Sequence, residues 1–203
     1  MTFEHTANTR GGAIRHAVKD RKNDLYETPP EATRTLLRVE NLPHDIWEPA
    51  CGRGAISSVL EDAGHTVMST DLVDYGYGVP GCDFLMEWES PRGIDAIVTN
   101  PPYKNADAFI RKGLELVPTV YMLLRWAYAE GVGRSDIIDN HLSRVWLGRE
   151  RLPMMHRDGW GGDKQTNSAM PFAWFVFTRE QTGGSFQVRR MSWRDQANGR
   201  AAA

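Results

Sequence analysis

The chain has 203 residues, 41% of them hydrophobic and 25% charged, which suits one soluble domain with a substantial core and leaves little room for a second catalytic-size unit. No apolar run approaches the ~20 residues of a membrane helix, and residues 1–24 hold no apolar stretch of the signal-peptide kind, so a cytoplasmic protein with no membrane partner is expected. Cys51 and Cys82, the only cysteines, are too few for a disulfide scaffold and lie in no metal-ligand spacing; they read as reduced thiols, with no metal site.

The net charge of −2 conceals a split: residues 1–124 hold 12 Lys or Arg against 18 Asp or Glu, whereas residues 125–203 hold 12 against 8. A first part that holds a cationic ligand and a second that faces phosphates would carry this asymmetry. Scattered solvated charges would give the same totals.

Residues 1–24 are polar, without periodicity, and read as a flexible arm. Its Arg10, Arg15, Lys19, Arg21 and Lys22 could touch a DNA backbone, although a solvated tail is the simpler account. A single domain is expected over 25–195, followed by a disordered tail, 196–203. Thr28-Pro29-Pro30-Glu31 predicts a helix start, with Thr28 as N-cap, Pro29 in the first turn and Glu31 closing a capping box.

Short apolar runs then alternate with helix-length segments, the pattern of a parallel sheet with crossover helices. Strands are predicted at 46–48, 66–70, 94–99, 120–124, 144–147 and 172–178, with a weaker one ending at Asp83 and one more within 185–193. Helices are predicted at 55–63, 106–117 and 137–142. Residues 149–170 form a long loop rich in Gly, Arg and His, a length that usually marks a functional or disordered segment.

Glu48-Pro49-Ala50-Cys51-Gly52-Arg53-Gly54 ends a predicted strand and opens a helix, so its backbone can pass close under a ligand where Gly52 and Gly54 lack side chains. Ser57 stands where a dinucleotide-binding loop has its third glycine. A pyrophosphate would be repelled by Glu48, whereas a cofactor bearing an ammonium and a sulfonium would not. Asp71, with Leu72 beside it, ends the next strand, where a carboxylate can accept hydrogen bonds from both ribose hydroxyls. Asp83 can do likewise for an adenine amino group, with Phe84 against the ring.

Asn100-Pro101-Pro102-Tyr103 is the sharpest signal. The lone pair of an exocyclic amine is delocalised into its ring, so the amine is a poor nucleophile. Two acceptors, the Asn100 side-chain oxygen and the Pro101 carbonyl, can take its two hydrogens and favour a tetrahedral nitrogen. Pro101 and Pro102 stiffen that turn, and Tyr103 offers a face for a planar base. No strong general base is needed, because the proton becomes acidic once the nitrogen is alkylated.

In these residues the chain resembles the S-adenosylmethionine-dependent DNA adenine-N6 methyltransferases. The likeness rests on the loop from Glu48 to Gly54, on Asp71, on Asp83-Phe84 and on Asn100-Pro101-Pro102-Tyr103, and covers roughly residues 25–178. It implies a Rossmann-like class I methyltransferase fold, α/β, with a mostly parallel seven-stranded sheet, one antiparallel strand and helices on both faces. It further implies S-adenosylmethionine as cofactor, with Tyr26 and Thr28 at its methionine portion, and DNA as partner. Ala173-Trp174-Phe175-Val176-Phe177 is similar to the family's late strand, which makes Trp174 or Phe175 a candidate wall of the base pocket; a plain core strand accounts for the run equally well.

Sequence-specific members usually carry a further recognition domain, for which the 25 residues after Thr178 leave no room. Recognition is then expected from the loop at 149–170, where His156, Arg157, Trp160 and Lys164 combine phosphate-seeking charge with an aromatic able to fill the gap of a flipped base. The arm, a second copy of the chain or a partner subunit could also supply it. Methylation of RNA adenine or of a protein glutamine amide is the alternative, and a cofactor-binding module without catalysis is another.

Overall fold

The computed structural model describes residues 27–152, 171–180 and 182–194. The expectations for the arm, Tyr26, His156, Arg157, Trp160, Lys164 and the tail at 196–203 lie outside the described residues.

The first helix, α1 (Pro30–Val39), begins one residue later than the sequence suggests. Its N-cap is Pro29, at φ −58° and ψ 137°, with no side-chain cap. A residue that precedes a proline is pushed toward extended conformation, so the helix can only start at Pro30, which has no N–H to leave unpaired. The Thr28 hydroxyl is thereby released from capping. Ala32, Thr33, Thr35 and Leu36 are the buried face of α1, at the spacing of one helical side.

Among the described residues, eight strands form one sheet in the order β3-β2-β1-β4-β5-β7-β6-β8. They are β1 (Asp45–Glu48), β2 (Thr66–Asp71), β3 (Val79–Pro80), β4 (Ala96–Thr99), β5 (Thr119–Arg125), β6 (Leu142–Gly148), β7 (Phe172–Thr178) and β8 (Gln187–Met191). Three further helices connect them: α2 (Ser57–Asp62), α3 (Ala106–Leu116) and α4 (Ser135–His141). Of these eight strands β7 alone runs antiparallel, between β5 and β6, with Met122 opposite Phe175 and Trp146 opposite Trp174. The sheet expected from sequence is therefore present, with one strand more than seven. The eighth is β8, within the 185–193 segment expected to hold one more strand; it pairs parallel to β6 and leaves Gln187, Val188, Arg189 and Arg190 exposed.

The weak strand expected to end at Asp83 is instead a two-residue bridge at Val79–Pro80, pairing Thr70 with Val79 and Asp71 with Pro80. Gly78 and Gly81, at φ 65° and 78°, turn the chain on either side of it, a conformation that side chains rarely adopt. Asp83 lies beyond the strand, and its carboxylate accepts the Leu85 N–H at 3.1 Å to cap a single 3-10 turn, Phe84–Met86.

The central strands are buried on both faces, which is why they read as continuous apolar runs. Alternation splits them into two cores. Trp47, Ile97, Met122 and Phe175 pack with Phe109 and Ile110 of α3; Ile46, Val98, Leu123 and Trp174 pack with Ala32 and Leu36 of α1. The strand order reverses at β1, which has β2 on one side and β4 on the other. Loops leaving β1 and β4 must part there, and a crevice opens beyond the strand ends.

Candidate active site

The crevice at the ends of β1, β2 and β4 is a cleft of about 310 Å³. Its walls include Thr28, Glu48, Pro49, Ala50, Cys51, Gly52, Asp71, Leu72, Asp83, Phe84, Asn100, Pro101, Pro102 and Tyr103, so the fold brings together candidate residues up to 75 positions apart in sequence. Glu27, Arg53 and Phe109 also line it, with no motif in the sequence to mark them as cleft residues.

The glycine loop is tied to β2 at both ends. Cys51 N–H donates to the Thr70 carbonyl at 3.0 Å, continuing the β1–β2 ladder. Gly52 N–H donates to Asp71 Oδ2 at 2.8 Å, and Val73 N–H donates to Oδ1 at 2.9 Å. Asp71 is therefore both a wall of the cleft and the anchor of the loop; each carboxylate oxygen retains a second lone pair for an outside donor. Gly52, at φ 53°, takes the left-handed conformation that this approach requires.

Gly54 has a different role from the one expected. It does not line the cleft; a Cβ at this position would lie 2.5 Å from the Tyr77 ring, so the missing side chain makes room for the protein's own tyrosine. Tyr77 is held there by its hydroxyl, which donates to Glu61 at 2.8 Å.

Glu48 is 2% exposed. Ser57, at the start of α2, donates its N–H to Glu48 Oε2 at 2.8 Å and its hydroxyl to the same oxygen. Burial outweighs these hydrogen bonds and raises the carboxyl's pKa well above the ordinary glutamate range, with Asp71 and Glu61 adding to the rise. A cation in the cleft would favour the ionised form. At the rim Arg53 pairs with Glu27 at 3.1 Å.

Across the cleft, Asn100 leaves β4 and donates its side-chain N–H to Thr28 Oγ1 at 3.1 Å. With the nitrogen edge of the amide turned to Thr28, the oxygen edge is turned away from it. The turn that follows closes by Asn105 N–H on the Pro102 carbonyl at 2.8 Å, one residue beyond the Pro101 carbonyl. The Arg125 guanidinium lies 4.8 Å from the Tyr103 ring centre, and the Phe172 ring lies 5.9 Å from it. These neighbours come from the ends of β5 and β7, so only strand pairing reveals them.

Trp174 and Phe175 are both fully buried, one in each core, and neither lines the cleft. Trp174 donates its indole N–H to the Ala32 carbonyl at 2.9 Å, fastening α1 to the sheet. Phe84 borders the cleft but is 2% exposed, its ring 5.2 Å from Trp47 and 4.8 Å from Phe109. Among the described residues, no group of three or more His, Cys, Asp or Glu could hold a metal, and no helix is long and apolar enough to cross a membrane.

No family model matches the chain, and no curated protein matches it in sequence. Solved structures do match. A protein of Listeria monocytogenes assigned as a class I S-adenosylmethionine-dependent methyltransferase superposes with a TM-score of 0.58 at 12% identity, over 89% of this chain and 69% of that one. The chain has the class I methyltransferase fold. The modification subunit of an assigned type I restriction enzyme from Vibrio vulnificus YJ016 matches with a TM-score of 0.56 at 12% identity, over 84% of this chain. This chain spans about half, 48%, of that subunit's length. An assigned RNA methyltransferase of Pyrococcus horikoshii gives 0.52 at 12% identity, over 73% of this chain and 81% of that one. In this methyltransferase fold the crevice between β1 and β4 is the place where a ligand meets the strand ends.

Proposed function

We propose that the chain is an S-adenosylmethionine-dependent methyltransferase acting on the exocyclic amino group of adenine in DNA, to give N6-methyladenine. The observation that carries this reading is that Asn100 and Pro101 share one cleft with the Gly52 loop and Asp71. The residues present suit the cofactor. A cleft of about 310 Å³ lies at the lower end of the range for small-molecule sites, and its carboxylates match the donors of the ligand. Glu48 suits a cationic portion, Asp71 the ribose hydroxyls and Asp83 the adenine amine, with Thr28 near the methionine portion. When bound, S-adenosylmethionine supplies a methyl carbon on a sulfonium; the N–C bond forms as the S–C bond breaks, and the nitrogen loses its proton to water.

The chain's own residues prepare the nucleophile. The Asn100 oxygen and the Pro101 carbonyl accept the two amine hydrogens, drawing the lone pair out of the ring. Tyr103, steadied by Arg125, takes the base against its ring, and aromatic contact of this kind suits a nucleotide turned out of its duplex or presented single-stranded. By the resemblance, an asparagine at position 100 favours adenine over cytosine, and the Thr28-Pro29-Pro30 segment upstream of the glycine loop favours DNA. The fold likeness to an assigned RNA methyltransferase keeps RNA adenine as the second reading.

The test is incubation of the full chain with labelled S-adenosylmethionine and, separately, duplex DNA, single-stranded DNA, RNA and a cell protein extract, with the product identified by mass spectrometry. N6-methyladenine in DNA is expected. Asn100→Ala should abolish it with cofactor affinity nearly unchanged. A methylated amide or no transfer would overturn the reading, as would methyl adenine found only in RNA.

A further inference from the structure

We propose that a cluster of arginines gathered around Ser192, between α1 and the added strand β8, is the surface on which the DNA backbone docks. This rests on DNA being the substrate and names the part of the chain that would hold it. The cluster is assembled by tertiary contacts. Arg38 in α1 donates to the Ser192 carbonyl at 3.0 Å, where Thr35 Oγ1 also donates at 3.4 Å. Arg194 donates its backbone N–H to Ser192 Oγ at 3.2 Å. Arg149, just after β6, donates its N–H to the Met191 carbonyl at 2.8 Å, and Arg190 is two residues before Ser192 on β8. Arg34 precedes Thr35 on α1. All five arginines are exposed.

Glu150, the carboxylate bonded to Ser192, accepts Ser192 Oγ–H at 3.0 Å and Trp193 N–H at 3.2 Å rather than a guanidinium, and its single charge offsets one of the five arginines. Among the described residues, no carboxylate pairs with Arg34, Arg149, Arg190 or Arg194 within 4.0 Å. Arginines on an edge strand also discourage edge-to-edge pairing, but that role does not call for two more from α1 beside them. Planar guanidinium groups in such density suit phosphodiesters, which they bind in forked pairs.

Position relative to the cleft supports the same ligand. Both β6 and β8 run parallel to β5, so the Ser192 end of the sheet is the end that carries Asn100. In the sheet order β8 lies four strands from β4, roughly 19 Å at about 4.8 Å per strand. At about 3.4 Å per step along one strand, the cluster would meet phosphates some five or six steps from a nucleotide in the cleft. No separate domain is needed for that contact.

The experiment measures binding of the full chain to a fluorescein-labelled adenine-containing DNA duplex by anisotropy, across a series of salt concentrations. Arms with the single strand, an RNA duplex and polyglutamate of like charge accompany it. In the triple variant Arg149→Gln, Arg190→Gln, Arg194→Gln, affinity for DNA should fall at least tenfold. Each lost phosphate contact removes about 0.9 from the salt slope, so the slope should drop by about 2 to 3. The corresponding triple lysine variant should regain most of the affinity, and cofactor affinity and melting temperature should match wild type in both. Unchanged DNA affinity in the glutamine variant would overturn the proposal, as would tighter cluster-dependent binding of RNA or polyglutamate. Cluster-dependent DNA binding without adenine methylation would instead sink the reaction and spare the surface; methylation with cluster-independent binding would do the reverse.

Discussion

Thr28 Oγ1 accepts the side-chain N–H of Asn100 at 3.1 Å, across 72 residues of sequence. The bond selects one orientation of the amide, and the proposed chemistry needs that orientation, because only the oxygen edge can accept hydrogens from an amine. Thr28→Val keeps the shape of the side chain and removes the acceptor. The loss should be on the order of 1 kcal/mol, seen as a fall in kcat of about fivefold. Thr28→Ser should keep the wild-type rate. A valine variant with full kcat would show that the amide is oriented by something else.

Asp71 accepts from Gly52 and Val73, so Asp71→Ala removes a ligand wall and the anchor of the loop together. Leaving two backbone N–H groups unpaired should cost about 1–3 kcal/mol of stability, read by urea denaturation. Cofactor affinity should weaken by at least tenfold in calorimetry. Unchanged affinity would remove Asp71 from the proposed cofactor site.

Glu48 carries a pH dependence. Burial raises its pKa above the ordinary 4.5, so the folded protein holds this proton more tightly than the unfolded chain. Its contribution to stability is complete below the ordinary glutamate range and is lost as pH rises through the raised folded-state value. The ligand-free protein should therefore lose melting temperature across that window, and Glu48→Gln should flatten that part of the profile. A cationic ligand should expel the proton, which calorimetry in buffers of different ionisation enthalpy detects. Parallel melting profiles for the two proteins would show that burial of this carboxyl is not felt.

Gly54→Ala tests whether the glycine serves the ligand or the fold. At φ 81° with the Tyr77 ring 2.5 Å from the added carbon, alanine meets both backbone strain and a clash. A destabilisation of roughly 1–3 kcal/mol is expected for an unfavourable backbone conformation alone. Adding Tyr77→Ser should relieve the clash and recover part of the loss in urea unfolding. A fully stable single variant with weakened cofactor binding would return Gly54 to the cleft wall.

Much of the fold was legible because burial on both faces writes itself as contiguous apolar runs in β4, β5 and β7, and amphipathic spacing marks α1 and α3. The helix start was read one residue early, because the local capping signal of Thr28 competes with the restriction that Pro30 places on Pro29, and with Asn100 for the threonine hydroxyl. Local pattern carries no information about a partner 72 residues away.

The alternation of strands and helices, the glycine loop that follows Glu48 and the stiff turn at Asn100 are written in the local sequence, because each depends on neighbours along the chain. That Gly54 faces Tyr77, that Trp174 and Phe175 are core, and that Arg125 and Phe172 flank Tyr103 emerges from the packed fold alone. Those outcomes depend on which strands lie side by side and on which face each alternating side chain emerges. Both are set by global packing of the sheet rather than by any segment of it.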